Sequence, residues 1–224
     1  MNRRTWSEVD HYFQEKLLTS DSFLDTVLTR NRQAGLPEID VSATQGKLLH
    51  LLVKMSKPKR VLEIGTLGGY STIWMGRGLP EDGNIVSLEL SEHHAQTARQ
   101  NIQEAELEHK VEILNGPALE ILPTLEDKGY GPFDFIFIDA DKPNNPHYLK
   151  WALKLAADGA VIIGDNVVRN GEVTDHRSND ERIHGVRQFI DLLNESEDID
   201  STAIQTVGSK GYDGFTLGVV QKKN

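Results

Sequence analysis

A single α/β domain built on a doubly wound, mostly parallel sheet is the fold this sequence predicts, and three observations predict it. From Arg60 onward, short apolar runs ending in glycine or an acid alternate with amphipathic stretches, the texture of successive βα units. The last stretch holds two β-patterned runs with no room for a helix between them, so one strand runs against the others. Before that alternation the first ~50 residues show helical spacing and no strand-like run, which makes them a helical cap. With 224 residues the chain suits one hydrophobic core. We read residues 1–224 as one domain, with the cap at 1–57 and the α/β core at 58–224.

In chain order, Trp6, Val9, Tyr12 and Phe13 recur at helical spacing, and Leu17, Leu18, Phe23, Leu24, Val27 and Leu28 continue it until Leu36-Pro37 breaks the pattern. Trp6, Tyr12 and Phe13 are expected in core or interface packing. A helix from Thr44 to about Met55 carries Leu48, Leu49, Leu51 and Leu52 on its buried side and stops before Pro58. The five core strands are Arg60 to Gly65, Asn84 to Leu90, Val111 to Leu114, Phe133 to Asp139 and Gly159 to Asp165. Helices follow them from Tyr70, over Glu92 to Glu104, behind Pro117, over Asn145 to Ala156 and over Asp180 to Leu193. Ser201 to Val207 and Phe215 to Val220 pair as an antiparallel hairpin around the glycine-rich turn Gly208 to Gly214.

Composition narrows the chemistry. A net charge of -10 argues against nucleic acid as the main partner, because phosphate contacts need clustered Lys and Arg. There is no cysteine, so disulfides, thiolate metal sites and cysteine nucleophiles are excluded and any metal is held by oxygen or imidazole. The charged N-terminus has no apolar run behind it, and no stretch approaches the ~20 apolar residues of a membrane span. A cytoplasmic protein without a membrane partner is expected.

Open α/β sheets bind ligands beyond the carboxyl ends of their strands, so the residues at those ends carry the functional reading. The first strand ends in Glu63-Ile64-Gly65-Thr66-Leu67-Gly68-Gly69-Tyr70-Ser71. Its glycines permit close approach of a ligand to the backbone, but the spacing is not that of the dinucleotide fingerprint, which needs glycine where Leu67 stands. Glu63 places a carboxylate there, which suits the cationic amino-acid end of S-adenosylmethionine (SAM) better than a pyrophosphate. Glu89 ends the second strand, where a carboxylate accepts from both hydroxyls of a ribose; alone it indicates a nucleoside and not a methyl donor. After the third strand, Asn115-Gly116-Pro117-Ala118 is a tight turn that could flank an adenine ring.

The fourth and fifth strands end in Ile138-Asp139-Ala140-Asp141-Lys142 and Ile163-Gly164-Asp165-Asn166-Val167. Neighbouring parallel strands lie ~4.8 Å apart, so Asp139, Asp165 and Asn166 can converge on one ion. Two carboxylates and an amide oxygen suit Mg²⁺, Mn²⁺ or Ca²⁺. Lys142 stands just past Asp139, where a general base for an acceptor hydroxyl would sit; burial and a nearby divalent cation both favour the neutral amine that a base requires.

These motifs, E-x-G-T-x-x-G-Y-S, F-I-D-A-D-K and G-D-N-V, resemble those of the cation-dependent O-methyltransferases, the family of the catechol and caffeoyl-CoA enzymes, and its bacterial members in particular. The likeness covers about residues 35 to 220. It implies the seven-stranded methyltransferase sheet with an antiparallel last strand, and SAM as donor. By resemblance, Val41, Glu63, Gly65, Thr66 and Ser71 hold the methionine portion, Glu89 the ribose and Ala118 the adenine. Asp139, Asp165 and Asn166 bind the metal, Asp139 also bordering the donor, and Lys142 is the base. The acceptor implied is a catechol-like small molecule, and the assembly implied is a homodimer. The family's catechol enzyme has an aromatic residue where this chain has Asp141, which leaves the acceptor open. A hydroxylated uridine in transfer RNA is the alternative, with Arg3, Arg4, Lys57, Lys59 and Arg60 as its basic patch. An NAD-dependent dehydrogenase is a further one. Tyr212 and Asp213, placed in the hairpin turn, and His184 are candidates to face the acceptor.

Overall fold

The computed structural model describes residues 2–18 and 21–223. The apolar runs form β1 (Arg60–Ile64), β2 (Asn84–Glu89), β3 (Val111–Asn115), β4 (Phe133–Ile138), β5 (Ala156–Asp165), β6 (Ile199–Gly208) and β7 (Gly211–Val220). They join one sheet in the order β3-β2-β1-β4-β5-β7-β6. All neighbours are parallel except β7, which runs antiparallel to both β5 and β6. The strand order reverses between β1 and β4, so the crevice for a ligand opens at their carboxyl ends.

Helices cover both faces: α4 (Tyr70–Gly76), α5 (Glu92–Glu104), the single turn α6 (Ala118–Ile121), α7 (Asn145–Leu155) and α8 (Glu181–Glu195), behind the cap helices α1 (Arg3–Leu17), α2 (Ser22–Gln33) and α3 (Ala43–Ser56). Alternation along the strands divides the core. Leu62, Ile64, Ile136 and Ile138 face a cluster with Leu149 and Phe189, whereas Val61, Phe135 and Phe137 face one with Leu49, Val53 and Ile73. Ser42 caps α3 by accepting from Gln45 N at 3.2 Å. That cap fixes where the strap before α3 turns into the helix. Among the described residues, no helix is long and apolar enough to cross a membrane.

Two expectations need correction. The hairpin turn is not Gly208 to Gly214: pairing continues to Gly208↔Gly211, leaving only Ser209 and Lys210 as the tip. The glycines there serve close approach instead, since a Cβ on Gly214 would come 2.4 Å from Ile204 O and 2.7 Å from Val168 Cγ2. The second concerns α1, which buries none of its residues. Val9, Tyr12, Phe13 and Leu17 stand open to solvent, so its stripe is not core.

Candidate active site

The register of the sheet assembles the site. Ile64 pairs with Ile138, and Asp139 N donates to Ile64 O at 2.9 Å, so Gly65 and Asp139 leave β1 and β4 side by side. Gly65 has φ 102°, and a Cβ there would lie 2.1 Å from Asp139 O, so glycine is obligatory. Ile138 pairs in turn with Gly164, which sets Asp139 beside Asp165.

A cleft of about 640 Å³ opens at these strand ends. Gly65, Thr66 and Ser71 line it after β1, Glu89 and His94 after β2, and Gly116, Pro117 and Ala118 after β3. Asp139, Asp141, Lys142, Asn144 and Tyr148 line it after β4, Asn166 and Arg169 after β5, and Pro37, Ile39, Asp40 and Val41 roof it. Of the expected residues, Val41, Gly65, Thr66, Ser71, Glu89, Ala118, Asp139, Lys142 and Asn166 therefore border one space.

Glu63 and Asp165 do not line that cleft. Glu63 is fully buried and accepts from Ser71 Oγ at 2.6 Å, Thr72 Oγ1 at 2.5 Å and Ser87 Oγ at 2.6 Å. Burial pushes its carboxyl up to about 7; the three hydroxyls pull against that shift, and the charge of Asp139 adds to it. Its charge reaches the cleft through Ser71, which touches both. Asp165 borders a second cavity of about 300 Å³ between α3 and the β6–β7 hairpin, and Asn166 lines both spaces.

Asp165 is also pushed up to about 7, first by burial and then by the charge of Asp139, with Lys142 opposing. A cation placed between the two adjacent carboxylates would relieve the upward push on Asp165. Asp165 Oδ1 accepts from Asn166 N at 2.8 Å and Oδ2 from Gln45 Nε2 at 2.7 Å. Among the described residues no three His, Asp or Glu side chains converge as a metal cage. The set present is two carboxylates and the Asn166 amide, all oxygen donors, which fits a hard cation and not zinc. Lys142, buried, donates from Nζ to Asp139 Oδ1 at 3.0 Å.

Glu89 joins the second and first strand ends: Oε2 accepts from Leu67 N at 2.8 Å and Oε1 from Ser91 N at 2.9 Å. His94 Nδ1 lies 3.4 Å from the same carboxylate. Asp141 is occupied by Asn144 Nδ2 at 2.6 Å and Tyr148 OH at 2.5 Å. The loop after β5 has left-handed backbone at Asn166, Arg169 and Asn170, with φ between 54° and 56°.

Three candidates sit elsewhere. His184 is exposed and bonds Ser178 O through Nε2 at 2.6 Å, away from the cleft. Tyr212 and Asp213 lie within β7, not in a turn. Asp213 Oδ1 accepts from Val168 N, Arg169 N and Gly214 N, each at 3.0 Å, and so pins the loop after β5. Tyr212 OH donates to Gln205. Gln45, His94, Asp40, Asn144, Tyr148 and Arg169 join the site without having been expected there. Gln45 acts from a helix 120 positions away from Asp165, and no local spacing signals that contact.

Comparison with known proteins agrees with this arrangement. A family model described as O-methyltransferase matches residues 15–220. The catechol O-methyltransferase of Niastella koreensis is 44% identical over 221 residues, covering 99% of this chain and 100% of that one. Among solved structures, the O-methyltransferase from Bacillus cereus in complex with SAH superposes with a TM-score of 0.97 at 55% identity, covering 98% of this chain and 100% of that one. The O-methyltransferase TomG from Streptomyces achromogenes, in complex with SAM, gives 0.95 at 48% identity, covering 99% and 100%. On its sheet order, its strand-end residues and these matches, the chain belongs to the O-methyltransferase family.

Proposed function

We propose that this enzyme transfers the methyl group of SAM to one hydroxyl of a catechol-like small molecule, with the help of a divalent cation, Mg²⁺ first and Mn²⁺ or Ca²⁺ as the other hard candidates. One observation carries the reading: Asp139 lines the cleft, bonds Lys142 at 3.0 Å and neighbours Asp165 across the β4–β5 register. A nucleoside end, a cation seat and a candidate base thus meet at one residue. The dehydrogenase alternative falls with the family match.

Donor binding follows from the walls of the cleft. Glu89 would accept from the ribose hydroxyls, and Gly116, Pro117 and Ala118 offer a flat wall for the adenine. Val41, Gly65, Thr66 and Ser71 would surround the methionine end, where Glu63 acts through Ser71. The relatives solved with SAH and with SAM support this donor.

The chemistry is an in-line displacement that asks for an oxygen nucleophile, alignment and exclusion of water. Asp139, Asp165 and Asn166 would hold the cation, which when bound favours the ionised form of an acceptor hydroxyl. Lys142 Nζ, as the neutral amine, would receive that proton. Gln45 Nε2 and the main-chain N–H of Asn166 hold the two oxygens of Asp165, so that carboxylate is preorganised. A small acceptor is favoured over RNA by the net charge of -10, and within the candidate basic patch Arg4 and Lys59 each face an acid, Glu8 and Asp82, while Arg60 bonds Gly131 O. Mass spectrometry of caffeic acid incubated with enzyme, SAM and Mg²⁺ tests the reading. A single added methyl group on a ring oxygen is expected; donor binding without any methylated diol would overturn the acceptor class.

A further inference from the structure

Arg169 is a cation lining the cleft that the proposed methyl transfer does not use. It lines that space together with Asn144, Tyr148 and Asn166. Lys142 Nζ, in the same cleft, is committed to Asp139 at 3.0 Å. The Arg169 guanidinium donates no hydrogen bond to any described residue. Its nearest acid is Asp213, with Nη1 3.9 Å from Oδ2, and the other oxygen of Asp213 is taken by three main-chain N–H groups. Asp141, an acid lining the same cleft, is held by Tyr148 and Asn144.

The backbone of Arg169 reinforces the reading. Its φ of 54° is followed by 55° at Asn170 and 89° at Gly171. Asparagine and glycine suit that region, whereas arginine is sterically disfavoured there. The strained loop is pinned by Asp213 and carries the guanidinium to the cleft, a pattern that points from an outlier to a function.

We propose that Arg169 binds an ionised carboxylate on the acceptor, so that the acceptor class is an aromatic vicinal diol bearing a carboxylate side arm. This rests on the catechol reading above. The planar fork of a guanidinium matches both oxygens of a carboxylate. The side chain is 27% exposed, which leaves the pair less screened than one on the open surface. The diol oxygens belong beside Lys142 and the acids, so the anion that Arg169 receives comes from the rest of the acceptor.

The test compares caffeic acid with caffeyl alcohol, which has the same ring and chain without the carboxylate, in the Mg²⁺-loaded enzyme. The wild type should favour the acid at least tenfold in kcat/KM, mainly through KM. Arg169→Gly relieves the backbone while removing the charge, and Arg169→Met keeps the bulk; both should bring the ratio near one, and Arg169→Lys should restore part of it. Equal losses on both acceptors would assign Arg169 to loop structure and overturn the inference, as would a wild type that does not discriminate. A wild type that methylates neither diol overturns the catechol reading, and this inference with it.

Discussion

If Glu63 serves the donor as proposed, the donor's affinity should depend on pH. The Glu63 carboxyl is fully buried, bonded by the hydroxyls of Ser71, Thr72 and Ser87, and raised from 4.5 to about 7. In the free protein at pH 6 it is therefore mostly protonated. A cationic donor on the far side of Ser71 favours the carboxylate, so binding is linked to loss of that proton. With a free-protein value of 7 and full linkage, the dissociation constant for SAM should rise about tenfold from pH 8 to pH 6. Linkage has a second consequence with a definite sign. Because the folded value is raised, the group's contribution to stability is fully present below about 4.5 and is lost as pH rises through 7, a change of about 3 kcal/mol. Glu63→Gln should flatten both profiles, weakening the donor at pH 8 while stabilising the donor-free fold there. Calorimetric titration of SAM at pH 6, 7 and 8, with thermal melts of the free protein, measures both. A wild-type dissociation constant that is level from pH 6 to 8 would refute the linkage.

Two further substitutions probe the other end of the cleft. Lys142→Met removes the candidate base that donates to Asp139 at 3.0 Å, and kcat for a diol should drop by a factor of about 10² to 10⁴ with SAM affinity held; a turnover rate within a factor of two of wild type excludes the role. Gln45→Leu deprives Asp165 Oδ2 of its donor at 2.7 Å, and the Mg²⁺ concentration for half-maximal activity should rise about 10- to 100-fold while the saturated rate recovers. Unaltered half-saturation would make Gln45 a packing residue only.

Much of this could be read from the chain because strand ends are local features. Asp139, Asp165 and Asn166 each follow an apolar run, and the βα alternation makes those runs parallel neighbours, so their meeting needed no side-chain detail. Depth was not legible in the same way. Glu63 ends its strand as Glu89 does, yet Glu63 lies behind Ser71 while Glu89 faces the cleft. Partners from distant segments were silent too: Gln45 reaches Asp165 from α3, and Asp213 grips the loop of Arg169 from β7. Glycine carried meanings that composition does not separate, a turn with φ 102° together with a close approach at Gly65 and a close approach alone at Gly214. The apolar stripe of α1 was visible, but periodicity does not say what covers it, and among the described residues nothing buries it.

The central claim, a cation-assisted methyl transfer seated on Asp139, Asp165 and Asn166, meets its most direct test in transfer from labelled SAM to caffeic acid with Mg²⁺, after EDTA, and after Mg²⁺ is restored. The account predicts label in the acid, its loss with EDTA, and its return with the metal. Transfer that persists undiminished in EDTA would contradict it.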